Sequence, residues 1–158
     1  MPARPGRVGR SPSRERPGLG NIPQSLQLTL LDVSPRMLAC CARLPAERVQ
    51  ACMSAMPFQD AAFDMVLSAW AIETMRDPED ACAELLRVCR PGGRVCLAFC
   101  ADRPSRSIIG FGLRQHVTAA GLWRFLDPTR VREIFLDLGA RGAQQLFCAG
   151  PAAAMIIR

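Results

Sequence analysis

The run Leu-Thr-Leu-Leu-Asp-Val-Ser-Pro-Arg-Met-Leu occupies residues 28–38, and its pattern changes from strand to helix near the middle. The apolar part, from Leu26 to Val33, is short and carries an acid near its end, as expected for a buried parallel strand. Ser34 can cap a helix and Pro35 suits the first helical position, so a helix is predicted to follow. The stretch therefore indicates an α/β unit with Asp32 at the carboxyl end of a strand.

Two further runs extend this pattern along the chain. Met-Pro-Phe-Gln-Asp-Ala-Ala-Phe-Asp-Met-Val-Leu spans residues 56–67, and Phe63–Ala69 is apolar enough to predict a central strand covered on both faces. A helix is predicted from Asp77, with an acidic first turn. Pro91-Gly92-Gly93 ends it and leads into a strand at Arg94–Cys100.

The rest of the chain completes an α/β pattern. Arg48–Met53 is a weaker strand candidate, residues 101–125 fit a helix or a flap, and Asp127-Pro128 opens another helix. Gln144–Ala149 and Ala152–Ile157 are predicted to form two terminal strands joined by a tight turn. We therefore expect an α/β fold with a mostly parallel sheet and a reversed C-terminal strand.

The first 25 residues differ in composition from the rest. They contain five Pro and four Gly and have almost no apolar periodicity, which predicts a disordered Arg/Pro/Gly-rich leader before a domain at residues 26–158. Residues 1–17 hold five Arg and one Glu, so most of the net charge of +6 lies there. A solvated tail or an imperfect gene start explains the leader better than a functional basic arm, and no nucleic-acid partner is expected.

Composition excludes several kinds of chemistry. The chain has no Lys and no Tyr, which removes Schiff-base, phosphate-loop and tyrosine acid/base catalysis, and His116 is its single histidine. The eight cysteines lack paired zinc spacing, so we expect free thiols, no metal site and a reducing, cytoplasmic location. No apolar run approaches the length that would span a membrane.

Taken in order, the three runs resemble the second half of the Rossmann-like core of class I S-adenosylmethionine-dependent methyltransferases of type 11. The resemblance rests on three motifs: Asp-x-Ser-x-x-Met-Leu at residues 32–38, Met-Pro-Phe-x-Asp-x-x-Phe-Asp-x-Val at 56–66, and Leu-x-Arg-Val-x-Arg-Pro-Gly-Gly at 85–93. It implies methyl transfer from S-adenosylmethionine to a small-molecule acceptor.

The resemblance also implies which residues would hold the cofactor. Asp32 would accept hydrogen bonds from the ribose hydroxyls, although its spacing fits a turn acid paired with a helix amide equally well. The main chain at Cys52 and Met53 would lie near adenine, and the methionine end would lie near Ser68 and Ala69. The implied set is Asp32, Val33, Cys52, Met53, Ser68 and Ala69. No catalytic residue is assigned, and only Glu73 and His116 are candidates for a general base.

The sequence departs from the family pattern at two places. Ala51-Cys52-Met53 stands where Gly-Asp-Ala is typical, which removes the acid that reads the adenine amine. The first strand and its glycine-rich loop are missing, and in the family that strand lies between the strands ending at Asp32 and Ala69. The alternative is therefore an inactive methyltransferase-like fragment or a partner-binding subunit, with self-association through an incomplete sheet.

Overall fold

The computed structural model describes residues 26–102, 124–149 and 151–158. Its first sheet has two parallel strands, β1 (Leu28–Asp32) and β2 (Ala46–Gln50). Helix α1 (Pro35–Cys40) connects them, and the Ser34 side chain caps it by accepting a hydrogen bond from the Met37 amide. This unit is the strand-to-helix pattern predicted at residues 28–38.

The second sheet has four strands, β3 (Phe63–Ala69), β4 (Cys89–Cys100), β5 (Ala143–Ala149) and β6 (Ala152–Ile157). Their order is β3-β4-β6-β5. β3 and β4 are parallel, whereas β6 is antiparallel to both of its neighbours. The α/β class and the reversed C-terminal strand are thus confirmed, but the described strands form two sheets and not one.

Two longer helices cover the second sheet. Helix α2 (Pro78–Val88) follows Asp77, and helix α3 (Pro128–Asp137) begins after Asp127, whose side chain accepts from the Thr129 amide at 2.8 Å. Both start with proline at the first helical position, where its missing N–H costs nothing. Neither these helices nor the others in the described ranges are long and apolar enough to cross a membrane.

One hydrophobic core joins the elements. Its buried centre comes from α2, α3, β4 and β6, with Phe99 and Phe135 completely buried. Leu31 of β1 and Val66 of β3 both pack against this core from its partly buried margin. The two sheets therefore rest on the same core although no described strand joins them.

The prediction that β3 is covered on both faces is wrong. Met65 and Leu67 are 60% and 73% exposed, so the face of β3 that carries them is uncovered in the described structure. In addition, β3 is an edge strand, with only β4 paired to it among the described strands. The covered face of β3 is the one that carries Val66 and Ser68, whose side chains point towards the core.

Other differences from the predicted elements are shifts in bounds. The weak strand candidate at Arg48–Met53 is observed earlier, at Ala46–Gln50, and α1 ends at Cys40. Strand β4 begins at Cys89, ahead of the Pro91-Gly92-Gly93 turn that was predicted to precede it. The predicted leader and most of the segment at residues 101–125 lie outside the described residues.

Candidate functional site

The candidate site is built on the carboxyl ends of β1 and β2. Asp32 pairs in register with Gln50, so the two strands end at the same level. The Ala51 amide donates to the Asp32 carbonyl oxygen at 3.3 Å, and the Gln50 side chain donates to the Val33 carbonyl oxygen at 3.1 Å. These bonds hold the two segments that follow the strands against each other.

Asp32 has one carboxylate oxygen engaged and one available. Its Oδ1 accepts from the Ser34 amide at 2.8 Å, which is the turn-acid arrangement that the sequence left open. Within the described part of the chain, Oδ2 accepts no hydrogen bond. A carboxylate oxygen has two lone pairs, so Asp32 can serve the turn and still accept from a ligand hydroxyl.

Cys52 and Met53 follow β2, and they differ in the groups that they present to a ligand. The Cys52 thiol lies 3.1 Å from the Ser54 hydroxyl, and hydrogen bonds from that side chain and then from the Ser54 main chain lower the pKa of Cys52. Met53 is buried in the core, so only its main chain is open to a ligand.

At the end of β3, Ser68 and Ala69 present two different surfaces. Ser68 is 7% exposed, and its buried hydroxyl oxygen has no hydrogen-bond partner among the described residues. Ala69 is exposed, and Trp70 after it has a φ of 56° with half of its side chain exposed. A non-glycine residue with positive φ is strained, and such residues occur often at binding sites.

Glu73, the first of the two candidates for a general base, is buried in the structure. Glu73 lies in a short 3-10 turn at Ile72–Thr74 and is only 1% exposed. Its Oε1 accepts from the Cys100 amide at 3.2 Å, which ties this turn to β4. Its other carboxylate oxygen, Oε2, is buried and has no hydrogen-bond partner among the described residues, so this group is only partly satisfied. The other candidate, His116, lies outside the described residues.

Sequence reasoning missed the group that holds the loop at residues 56–60. Arg87 on α2 donates to the carbonyl oxygens of Met56 and Phe58 at 3.0 and 2.8 Å and to the Asp60 carboxylate at 2.8 Å. Glu84 pairs with Arg87 and accepts from the Met56 amide at 2.7 Å. The spacing of Glu84 and Arg87 by three residues predicts their own pairing, but not that the loop is their target.

The predicted cofactor residues thus form two groups. Asp32, Val33, Cys52 and Met53 lie together at the end of the first sheet, whereas Ser68 and Ala69 lie at the end of β3 in the second. The available oxygen of Asp32 and the unpaired Ser68 hydroxyl fit a ligand that carries hydroxyl and ammonium donors, as S-adenosylmethionine does. Cys52 does not fit an adenine amine well, since a thiol is a weak acceptor.

A family model described as a methyltransferase domain matches residues 9–97, which is more than half of the chain. The match begins well before β1 and therefore includes part of the Arg/Pro/Gly-rich leader.

Curated relatives align over shorter segments. A malonyl-[acyl-carrier protein] O-methyltransferase of Enterobacter lignolyticus is 42% identical over 69 residues, covering 42% of this chain and 28% of the relative. A ubiquinone/menaquinone biosynthesis C-methyltransferase of Hahella chejuensis is 40% identical over 63 residues, covering 40% and 25%. The chain thus spans about a quarter of the length of these relatives.

Solved structures show the same fold at low identity. An S-adenosylmethionine-dependent methyltransferase of Thermotoga maritima superposes with a TM-score of 0.65 at 17% identity, over 80% of this chain and 70% of the other. A Haloferax volcanii methyltransferase, solved with the Trm112 methyltransferase activator, gives a TM-score of 0.67 at 18% identity, over 83% and 71%. The described core therefore has the Rossmann-like arrangement of these enzymes.

Proposed function

Because this chain belongs to the methyltransferase domain family, we propose that it transfers a methyl group from S-adenosylmethionine to a small-molecule acceptor. The observation that carries the proposal is Asp32, which ends β1 with one carboxylate oxygen available and lies level with the segment that follows β2. An acid in this position of an α/β sheet can accept both ribose hydroxyls of a nucleoside.

The cofactor contacts divide between the two sheet ends. Asp32 and Val33 would line the ribose, and the main chain of Cys52 and Met53 would lie against the adenine ring. The Ser68 hydroxyl, buried without a partner, would gain a hydrogen bond from the methionine end of the ligand, beside Ala69. Leaving such an oxygen unpaired costs free energy, so a ligand that pairs it gains affinity.

The proposed reaction asks little of the side chains. Bound S-adenosylmethionine supplies an already activated methyl group. The chain then has to orient the acceptor and exclude water, and a general base is optional. This agrees with a site in which Glu73 is buried and no acid/base residue is assigned.

The acceptor is proposed only as a class. The names of the two aligned relatives include an O-methyltransferase of a malonyl carrier and a C-methyltransferase of quinone biosynthesis, so the attacked atom differs even among similar proteins. A small organic acceptor handled in a reducing compartment, the cytoplasm, fits both relatives and the eight free thiols.

Calorimetric titration of S-adenosylmethionine and S-adenosylhomocysteine into the purified protein tests the proposal. We expect dissociation constants on the order of micromolar. Asp32→Ala should weaken binding about 10–100-fold, because a hydrogen bond to a charged group is lost. Asp137→Ala, which removes an exposed acid at the end of α3, is the matched control. A folded wild-type protein without binding heat, or full affinity in Asp32→Ala, would contradict the proposal.

A second candidate function rests on the free edge of β3. An apolar edge strand with Met65 and Leu67 more than half exposed is a template for pairing with another strand. The chain would then act as a partner-binding subunit, and self-association through the incomplete sheet is its simplest form.

Light scattering after size exclusion distinguishes this candidate from the first. Self-association through β3 predicts a mass that rises with concentration in the wild type and a monomer in Leu67→Lys, since Lys on an edge strand blocks pairing. Leu138→Lys introduces the same charge beyond the end of α3 and should leave the mass unchanged. A wild-type monomer at every concentration would exclude self-association.

A further inference from the structure

A second concave surface lies at the end of the four-stranded sheet opposite the candidate cofactor residues. It is a groove of about 820 Å³ between residues Pro91–Gly93, in the irregular first part of β4, and the turn at Leu138–Gly142. Val95 of β4 pairs with Ile157 of β6. The groove therefore lies where the pairing of β4 with β6 begins and where β6 ends. Ser68 and Ala69 pair with Leu97 and Ala98, further towards the other end of the sheet.

The charge of this groove is one-sided. Arg90, Arg94, Arg141 and Arg158 line it, and no Asp or Glu side chain does. Arg90 pairs with Asp64 at 2.7 Å, whereas the other three arginines have no ion pair with any residue that the structure describes. The three guanidinium groups without an ion pair repel one another, and an anion between them would relieve that repulsion.

Two glycines that line the groove have free space where a side chain would stand. Gly92 and Gly139 have φ values of 82° and 93°, and nothing lies within 4 Å of where a Cβ would stand on either. The Arg158 carbonyl oxygen, by contrast, is already occupied by the Arg141 and Gly142 amides at 2.6 and 3.1 Å. A ligand in the groove thus meets glycine turns and guanidinium donors, while this carbonyl acceptor is engaged.

The floor of the groove is apolar. Leu86 and Leu138 supply its accessible apolar surface, and Leu138 is 44% exposed, whereas Val95 and Ile157 belong to the buried core. A volume of several hundred Å³ suits an organic ligand, and an apolar floor would receive its uncharged part. Arginine matches phosphate geometry with paired N–H donors, which favours phosphate as the charged part.

We propose that this arginine-lined groove binds an organic phosphate, with Arg94 and Arg141 on the phosphate groups and the apolar floor under the organic part. The site is separate from the proposed cofactor site, and its occupation does not depend on methyl transfer. The ligand would carry two or more phosphate charges, because three unpaired arginines face the space.

Calorimetric titration of cytidine triphosphate and of inorganic triphosphate into the full chain at low salt tests this site. We expect the nucleotide to bind several-fold more tightly than inorganic triphosphate, because only the nucleotide reaches the floor. Arg94→Gln and Arg141→Gln should each weaken nucleotide binding about 10-fold, as expected for loss of one charge-assisted pair. Arg43→Gln removes an exposed arginine beyond α1 and should leave the affinity within about 2-fold.

Four outcomes would overturn the proposal. They are no binding by a folded wild type, equal affinity for nucleotide and inorganic triphosphate, an equal loss in Arg43→Gln, and displacement of the nucleotide by S-adenosylhomocysteine. Thermal melting of each variant checks that it is folded. Arg141→Lys, which keeps the charge but loses the paired donors, should bind with an affinity between wild type and Arg141→Gln.

Discussion

Trp70 has an unusual main-chain conformation for a large side chain. Its φ of 56° lies in the left-handed region, and its amide donates to the Ala98 carbonyl oxygen at 2.8 Å. That bond keeps the chain close to β4 as it leaves β3, and the left-handed conformation turns it into the 3-10 turn that contains buried Ile72 and Glu73. Packing on the sheet therefore compensates for the strain at this residue.

At Trp70 we predict that glycine is more stable than alanine. Both variants lose the indole, but only Trp70→Ala keeps the cost of a left-handed conformation with a Cβ, about 1–2 kcal/mol. Glycine offsets part of this difference through the entropy of its unfolded state. Urea unfolding should thus give Trp70→Gly an advantage of about 1 kcal/mol, and the usual order, with alanine more stable, would contradict the strain.

At the scale of elements, Arg87 attaches the loop at residues 56–60 to α2. Its guanidinium donates to two loop carbonyl oxygens. Its hydrogen bonds to Glu84 and then to Asp60 raise the pKa of Arg87 further above its usual value. The same loop follows Cys52 and Met53, so α2 indirectly positions part of the proposed adenine site.

We predict that Arg87→Met lowers the melting temperature by on the order of 10 °C, because several loop acceptors lose their donor at once. Arg87→Lys should fall between wild type and Arg87→Met, since Lys keeps the charge without the planar fork. The control is Arg130→Met, whose exposed contact with Glu79 at 3.6 Å should be worth almost nothing. Similar melting temperatures for Arg87→Met and Arg130→Met would show that the loop is held by other means.

The segment between α2 and the part of β4 that pairs with β6 depends on one glycine, Gly93. A Cβ on Gly93 would stand 2.7 Å from the Cys89 sulfur and 2.8 Å from the Asp64 carbonyl oxygen. Gly142, in the turn before β5, has nothing within 4 Å of the same position. The close approach of β3 to this turn is thus possible only without a side chain at residue 93.

From this difference we predict that the same substitution, glycine to alanine, has a large effect on stability at residue 93 and a small one at residue 142. Gly93→Ala should destabilise the protein by at least about 2 kcal/mol, because backbone must shift to admit the methyl group. Gly142→Ala should change stability by less than about 1 kcal/mol, in either direction. Urea unfolding of the two variants checks this, and equal effects would mean that β3 moves away freely.

At the scale of the whole molecule, alkaline pH acts through the cysteines. Burial, and then repulsion from Glu79, raises the pKa of Cys82 from 9.0 to about 12. Burial, and then the hydrogen bond with Glu73, raises the pKa of Cys100 to about 11. The chain has neither Lys nor Tyr, so no other side-chain type ordinarily titrates in this range.

Folding stability should therefore fall as the pH rises from about 9 to about 12. Below about pH 8 both thiols are largely protonated in either state. Above it the unfolded chain releases protons that the folded protein retains, so the free energy of unfolding falls by up to about 1.4 kcal/mol per pH unit for each thiol. Cys82→Ala should flatten this slope in urea unfolding, whereas Cys40→Ala, at an exposed thiol, should not. An unchanged slope in Cys82→Ala would contradict the assignment.

The sequence by itself determined the elements and their order. Short apolar runs predicted β1, β3 and the terminal pair β5 and β6, and proline after a capping residue predicted the start of each helix, because these signals are local. The motifs at residues 32–38, 56–66 and 85–93 were sufficient to indicate the methyltransferase family. The match to the model of that family then showed it. Asp32 was identified for the same reason, as an acid at a strand end.

Only the tertiary structure decided what those elements do with one another. It put the apolar strand β3 at a sheet edge, buried Glu73 against the Cys100 amide, and directed Arg87 onto a loop about thirty residues away in sequence. It also gathered arginines from β4, from the turn before β5 and from the residue after β6 into one groove. Burial and pairing depend on which segments meet in space, and a one-dimensional pattern of apolar and charged residues does not specify those contacts.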